Sequence, residues 1–149
     1  MRTIEGPRQF GERPRSRPVH DRPGAYAVIR DGKGRVAVVL GRSGYHLPGG
    51  GLEAGESDIE ALRREGLEEI GYELSVGDRI GEAKQYVQAS NGRCYNKLCA
   101  YFRAWIRPDV PAAPGAEHAV VWLSPTMALD ALDHDSHAWA VRQALDEPC

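Results

Sequence analysis

The rhythm of apolar and polar residues changes along this chain, and each change predicts an element. Ala25-Tyr-Ala-Val-Ile-Arg30 and Arg35-Val-Ala-Val-Val-Leu40 are short apolar runs, separated by Asp31-Gly-Lys-Gly34. They read as two strands of a hairpin joined by a turn. Gly41 to Gly51 is rich in glycine, contains Pro48 and reads as loop, with a short extended piece at His46-Leu47. Ser57-Asp-Ile-Glu60 is a capping box, and a helix follows to about Ile70. Ile59, Leu62, Gly66 and Ile70 recur at helical spacing as its buried stripe, and Gly71 is a left-handed stop. Gly66 costs about 1 kcal/mol against alanine inside a helix, which predicts that another backbone packs closely there.

Residues 79–90 and 93–106 alternate as two long strands, with Ser90-Asn-Gly-Arg93 as the hairpin turn. Arg107 to Gly115, with three prolines, is a loop. Ala119 to Leu123 is a further strand, Ser124-Pro125 opens a short helix, and a last helix runs from about Ser136 to Asp146. Ser57 and Ser136 read as caps. The order predicts the α+β class, a mixed sheet with helices packed on it, rather than repeating parallel units. Residues 1–23 set Pro7, Pro14, Pro18 and Pro23 among arginines, with few apolar residues. They are expected to be a flexible, solvated arm, leaving 24–149 as the one domain.

Composition adds bounds. The 149 residues, 42% hydrophobic and 27% charged, are ordinary for a single globular domain that needs no disulfide or structural metal. No apolar run approaches the ~20 residues of a membrane span. No secretory-type stretch stands at the N-terminus. There are three cysteines, and Cys94 and Cys99 lie five residues apart on one expected strand, facing opposite ways. A reduced, cytoplasmic chain is expected. The net charge of -2 disfavours a dedicated nucleic-acid binder. The sum hides a contrast, because residues 1–23 carry six arginines against three acids while residues 53–73 carry eight carboxylates against Arg63 and Arg64.

That acidic helix carries the chemistry. Glu65, Glu68 and Glu69 stand at i, i+3 and i+4, so they share one face and repel. Arg64 can ease the repulsion by pairing with Glu60 and Glu68. A divalent cation gives the cluster a purpose, since hard cations take oxygen ligands and leave places for water and phosphate. The preceding Leu47-Pro-Gly-Gly-Gly51 lets backbone approach the helix, so a carbonyl such as that of Gly49 can be a further ligand. Glu56 sits just ahead of the helix, where its dipole favours a carboxylate.

Residues 50–72 resemble the signature of the Nudix (MutT-like) hydrolases, G-x(5)-E-x(7)-R-E-U-x-E-E-x-G-U. Gly50, Glu56, Arg64, Glu65, Glu68, Glu69 and Gly71 match in register. Gly66 replaces an apolar residue, Tyr72 stands at the last apolar place, and Tyr45 is the nearest aromatic to the lead-in where a tryptophan is usual. The resemblance implies the Nudix fold over about residues 24–147, a mixed sheet packed between helices as an α/β/α sandwich. It implies Mg²⁺- or Mn²⁺-dependent hydrolysis of a nucleoside diphosphate linked to another group. Glu65, Glu68 and Glu69 would be metal ligands, with Glu56 supporting them or a second ion, and Arg64 would orient the glutamates. The general base would be Glu65 or the later Glu117, which is also a candidate ligand. Arg42, Lys84 and Lys97 are of the type that contacts phosphate. Tyr45, Tyr86 and Trp122 could stack on a base or fill the core. His118, His134 and His137 have no zinc-finger spacing. The proline typical of ADP-ribose hydrolases is absent, and Tyr86 is out of register for a dinucleoside polyphosphate hydrolase. A nucleoside triphosphate or modified nucleotide is the expected substrate. A dinucleoside polyphosphate hydrolase and a non-catalytic nucleotide sensor with a nucleic-acid-binding arm are the alternatives. Homodimerisation, common among relatives, is left open.

Overall fold

A computed structural model of the chain describes residues 7–42 and 44–146. Residues 1–6 of the expected arm, Ser43 in the glycine-rich segment, and Cys149 lie outside the described residues. In chain order the elements are β1 (Arg8–Phe10), β2 (Val19–Ile29), β3 (Val36–Gly41), β4 (Gly44–His46), β5 (Gly49–Gly51), α1 (Asp58–Glu65) with a wide turn over Gly66–Ile70, β6 (Leu74–Gln88), β7 (Cys94–Ile106), β8 (Val120–Leu123), α2 (Pro125–Ala131) and α3 (Asp135–Asp146). Five strands form one sheet in the order β1-β6-β7-β2-β5, and three form a second in the order β4-β3-β8. β2 runs parallel to β7 and β1 runs parallel to β6, while the other pairs are antiparallel, so the sheet is mixed.

Strands buried on both faces explain the layers. Alternate residues of β2 and β3 feed two cores. Tyr26, Val28, Val36 and Val38 pack with Tyr101 and with Val141 of α3. Ala25, Ala27, Ile29, Ala37 and Val39 pack with Leu62 and Ile70 of the α1 segment and with Phe102. Helices therefore cover both sides of the β layer, the α/β/α arrangement expected. This burial also corrects the hairpin. The Asp31–Gly34 turn forms, with the Gly34 amide donating to the Asp31 carbonyl at 3.0 Å, and one bridge joins Arg30 to Val36. The strands then part into different sheets, because β7 and β5 already occupy both edges of β2.

Helix α1 starts as its capping box predicts, with the Glu60 amide on Ser57 Oγ at 3.1 Å and the Ser57 amide on Glu60 Oε1 at 3.3 Å. It reaches Ile70, but its last turn widens into a π-helix before Gly71 at φ 77. The buried residues are Ala61, Leu62, Gly66, Glu69 and Ile70, whereas Ile59 falls on the flank, 40% exposed. Gly66 meets its expected close neighbour: a Cβ there would lie 3.1 Å from the Tyr72 carbonyl and 2.9 Å from the Leu74 side chain. Ser136 is not a cap. It lies inside α3, buried, with its amide on Gln85 Oε1 at 3.1 Å.

Other corrections concern irregular segments. The expected loop 41–51 contains β4 and β5. The arm is partly built into the sheet: β1 pairs with Ala83–Gln85, Phe10 packs against Trp139, and Gln9 exchanges side-chain bonds with the buried Asn96 at 3.0 and 3.3 Å. β2 begins at Val19, so Val19 to Pro23 are strand. A run too polar to bury itself is held by backbone pairing to strands already in place. Cys94 and Cys99 are both free and buried.

Candidate active site

The glycine segment and α1 meet through β5. The Ala27 amide donates to the Pro48 carbonyl at 2.9 Å and the Leu52 amide to the Pro23 carbonyl at 3.0 Å. In this antiparallel register, Gly49 and Gly51 fall at non-hydrogen-bonded positions, so their N–H and C=O groups point away from β2. The Gly49 amide donates to Glu69 Oε1 at 3.1 Å, and the Gly51 carbonyl accepts from Arg64 Nη2 at 3.0 Å. Gly49, at φ 140, leaves no room for a side chain, since a Cβ would come within 2.2 Å of the Ala25 carbonyl oxygen. Gly50 is flanked by the Glu65 carboxylate, whose carbon lies 2.6 Å from where its Cβ would be.

Arg64 ties the carboxylates together. Its Nε and Nη2 grip both oxygens of Glu56 at 2.7 and 3.0 Å, and Nη1 reaches Glu65 and Glu68, each at 3.0 Å. The expected Glu60 pairing is absent, because Glu60 is taken by the Ser57 amide. The fork holds the Glu56 carboxyl below its ordinary range and the Arg64 guanidinium above its own. Burial raises Glu65, against the pull of Arg64. Glu69 is the deepest of the set, 7% exposed, and burial pushes it up to about 8. The Gly49 amide opposes that rise, and the charges of Glu65 and Glu117 add to it. The His46 ring stands 3.7 Å from Glu69, with burial favouring its neutral form. Among the described residues, no three acidic, imidazole or thiol groups converge as a finished metal site.

A cavity of about 630 Å³ opens beside this cluster. Glu65, Glu69 and the β5 glycines line it together with Arg22, Tyr26, Tyr95, Lys97, Arg42 and His134. Of the sequence-predicted residues, Gly49, Glu65, Glu69, Arg42 and Lys97 meet here. Tyr45 lines an adjoining recess of about 250 Å³ with His46, Lys97, His118, Asp133 and His134. Glu117 stays exposed outside the cleft, its amide on the Glu68 carbonyl at 3.1 Å. Lys84 lines a separate pocket with Asp58 and Leu98, Trp122 packs into the core, and the Tyr86 hydroxyl at the cleft edge accepts from Arg13 at 3.4 Å. Sequence reasoning missed Arg22, Tyr26 and Tyr95. Period-two counting back from Tyr26 through Gly24 puts Arg22 on the same face, a signal masked by the prolines around it.

Comparison with known proteins gives a consistent answer. The sequence pattern of the NUDIX domain matches residues 20–145. The CTP pyrophosphohydrolase of Escherichia coli (strain K12) is 35% identical over 111 residues, spanning 70% of this chain and 76% of the relative. The solution structure of the E. coli ORF135 protein superposes with a TM-score of 0.61 at 25% identity, covering 85% of this chain and 90% of the other. The crystal structure of the MutT protein from Methanosarcina mazei Go1 gives 0.65 at 20% identity, covering 89% and 100%, a likeness of fold. No helix among the described residues is long and apolar enough to cross a membrane. The chain belongs to the Nudix family, hydrolases of the pyrophosphate bond in nucleotide-like substrates.

Proposed function

We propose that the cleft binds the polyphosphate of a nucleoside triphosphate or modified nucleotide and hydrolyses a P–O–P bond with Mg²⁺ or Mn²⁺ as cofactor. The observation that carries the reading is the make-up of the cavity lining. The carboxylates of Glu65 and Glu69 share it with Arg22, Arg42 and Lys97, none of the three cations in an ion pair among the described residues. A cation-bound polyanion complements both kinds of group. The E. coli CTP pyrophosphohydrolase supports a triphosphate substrate.

The donor set fits a divalent ion. Glu69 is a buried carboxylate whose charge only one backbone amide offsets, with the Glu65 carboxylate nearby. The outward carbonyl of Gly49 lies on the edge from which its amide reaches Glu69. Glu65, Glu68, Glu69 and the Gly49 carbonyl would hold the ion, which when bound supplies charge neutralisation and acidifies water. Glu56, with both oxygens on Arg64 and one also accepting from the Glu53 amide at 2.8 Å, supports the set by fixing Arg64. Arg64 in turn aims Glu65 and Glu68. Lys97 and Arg42 bind phosphate, and Tyr45 shapes the recess beside them. Proton acceptance falls to Glu65 or Glu117.

Phosphate and pyrophosphate release, measured across nucleoside triphosphates, oxidised nucleotides, dinucleoside polyphosphates, ADP-ribose and nucleotide sugars with Mg²⁺, tests the reading. Turnover is expected to favour triphosphates and to fall steeply in Glu68→Gln. No turnover across the panel, or an unaffected Glu68→Gln, sinks it.

A further inference from the structure

We propose that Arg22, from the segment whose composition predicted a solvated arm, is a phosphate-binding residue of the cleft, and that Tyr95 is the positioning residue that holds it. The inference rests on the cleft being the substrate site. β2 and β7 align Arg22 with Lys97 and His20 with Tyr95, so these side chains share one sheet face with Gly24 and Tyr26. The Arg22 guanidinium carbon sits 5.3 Å from the centre of the Tyr95 ring. On the other side, its Nε is 3.3 Å from where a Cβ of Gly51 would be. Gly51 follows Gly50, which borders the Glu65 carboxylate. Arg22 thus lies between Gly51 of β5 and the Tyr95 ring, in a cavity that Glu65 and Glu69 also line, with no ion-pair partner among the described residues.

An arginine with a neutralising partner would be a structural cation. This one faces a second cation instead. Lys97 lines the same cavity, half-buried, and burial first and the Arg22 charge in part hold its ammonium below the usual lysine range. Two like charges lining one cavity repel, and an anion bound between them relieves the repulsion. A guanidinium whose only described partner is a ring has its N–H donors available for the bidentate grip that phosphate oxygens accept. Its position beside Gly51, one residue from the Gly50 that borders Glu65, suits a phosphate adjoining one anchored at the carboxylates. Tyr95 limits where the fork can swing, so less freedom is lost on binding.

The test compares Arg22→Ala, Arg22→Lys, Tyr95→Phe and Tyr95→Leu in nucleotide turnover and in equilibrium binding of inorganic triphosphate to the full chain in chelator. Arg22→Ala is expected to raise KM and the triphosphate Kd together by about 10- to 100-fold, the loss typical of a charge-assisted contact. Arg22→Lys should recover only part, since it restores charge without the fork. Tyr95→Phe should match the parent, and Tyr95→Leu should weaken binding by about 3- to 5-fold, as loss of an exposed cation–π contact does. In an Arg22→Ala background, Tyr95→Leu should add nothing, a result that a merely structural tyrosine would not give. Unchanged KM and Kd in Arg22→Ala overturn the proposal, and additive effects of the two substitutions overturn the role of Tyr95. A parent that turns over no nucleotide, yet loses triphosphate affinity in Arg22→Ala, removes the proposed activity while leaving the anion site standing.

Discussion

Substituting Gly50 by alanine separates the position of one carboxylate from the integrity of the fold. The new Cβ would lie 2.6 Å from the Glu65 carboxyl carbon and 2.7 Å from its Oε1. An ordinary contact begins near 3.4 Å, so the carboxylate must retreat by about 0.8 Å. Its stem is flexible, and Gly50 has no left-handed φ to strain. Stability should therefore change by less than about 1 kcal/mol, within the range of substitutions that break no packed contact. Activity should respond far more, since displacing a catalytic group by about 1 Å can cost on the order of 100-fold. Moving Glu65 also loosens its 3.0 Å bond to Arg64. The assay is kcat for nucleotide hydrolysis beside thermal denaturation of the same preparation. A parent-like kcat in a parent-like fold would refute the claim that the Glu65 position matters. The neighbouring Gly49→Ala calibrates the comparison: its Cβ meets backbone at 2.2 Å, so it should lower stability sharply before activity can be read.

Further outcomes follow from other parts of the molecule. Glu69→Gln keeps an acceptor for the Gly49 amide and removes a carboxyl whose charged form burial disfavours, so melting without metal should hold or rise while the upward shift with Mn²⁺ disappears. Gln9→Ala leaves the buried Asn96 without its two described side-chain bonds, and chemical denaturation should register a loss of about 1–3 kcal/mol. His137 is fully buried, accepts the Leu47 amide on Nδ1 at 3.1 Å, and burial holds its pKa well below the ordinary 6.5. The unfolded chain therefore binds the extra proton first: stability is complete above about pH 6.5 and falls as pH drops below it, by up to about 1.4 kcal/mol per unit. His137→Asn should be less stable near pH 7.5 yet show a shallower decline toward pH 5 in denaturant midpoints.

Legibility followed the strength of local signals. The capping box, Gly71 and the Ser90–Arg93 turn are short-range devices, and each stands within a residue or two of its expected place. Among the signature positions, Arg64, Glu65, Glu68 and Glu69 exposed the acidic cluster because their spacing on one helical segment is itself the geometry. What long-range pairing decides was harder to read. Nothing in Arg8-Gln-Phe10 announces a strand, because its backbone bonds are made with Ala83 to Gln85, more than seventy residues on. Likewise β2 and β3 look like a hairpin until β7 and β5 are seen to occupy both edges of β2. Ile59, in the first turn of α1, falls on the flank, whereas Glu69 shares a face with the buried Leu62 and Gly66, seven and three residues before it. The carboxylates, Arg42 and Lys97 were therefore readable from sequence, whereas Arg22 and the rings of Tyr26 and Tyr95 beside them were not.

The most direct check is a titration of pyrophosphate release from CTP against Mg²⁺, run on the parent chain and on Glu69→Gln. No release is expected in chelator, with saturable activation by the ion in the parent and little or no activation in Glu69→Gln at matched fold. Equal rates with and without chelator, or an unchanged activation curve in Glu69→Gln, would contradict hydrolysis through a metal held by Glu69.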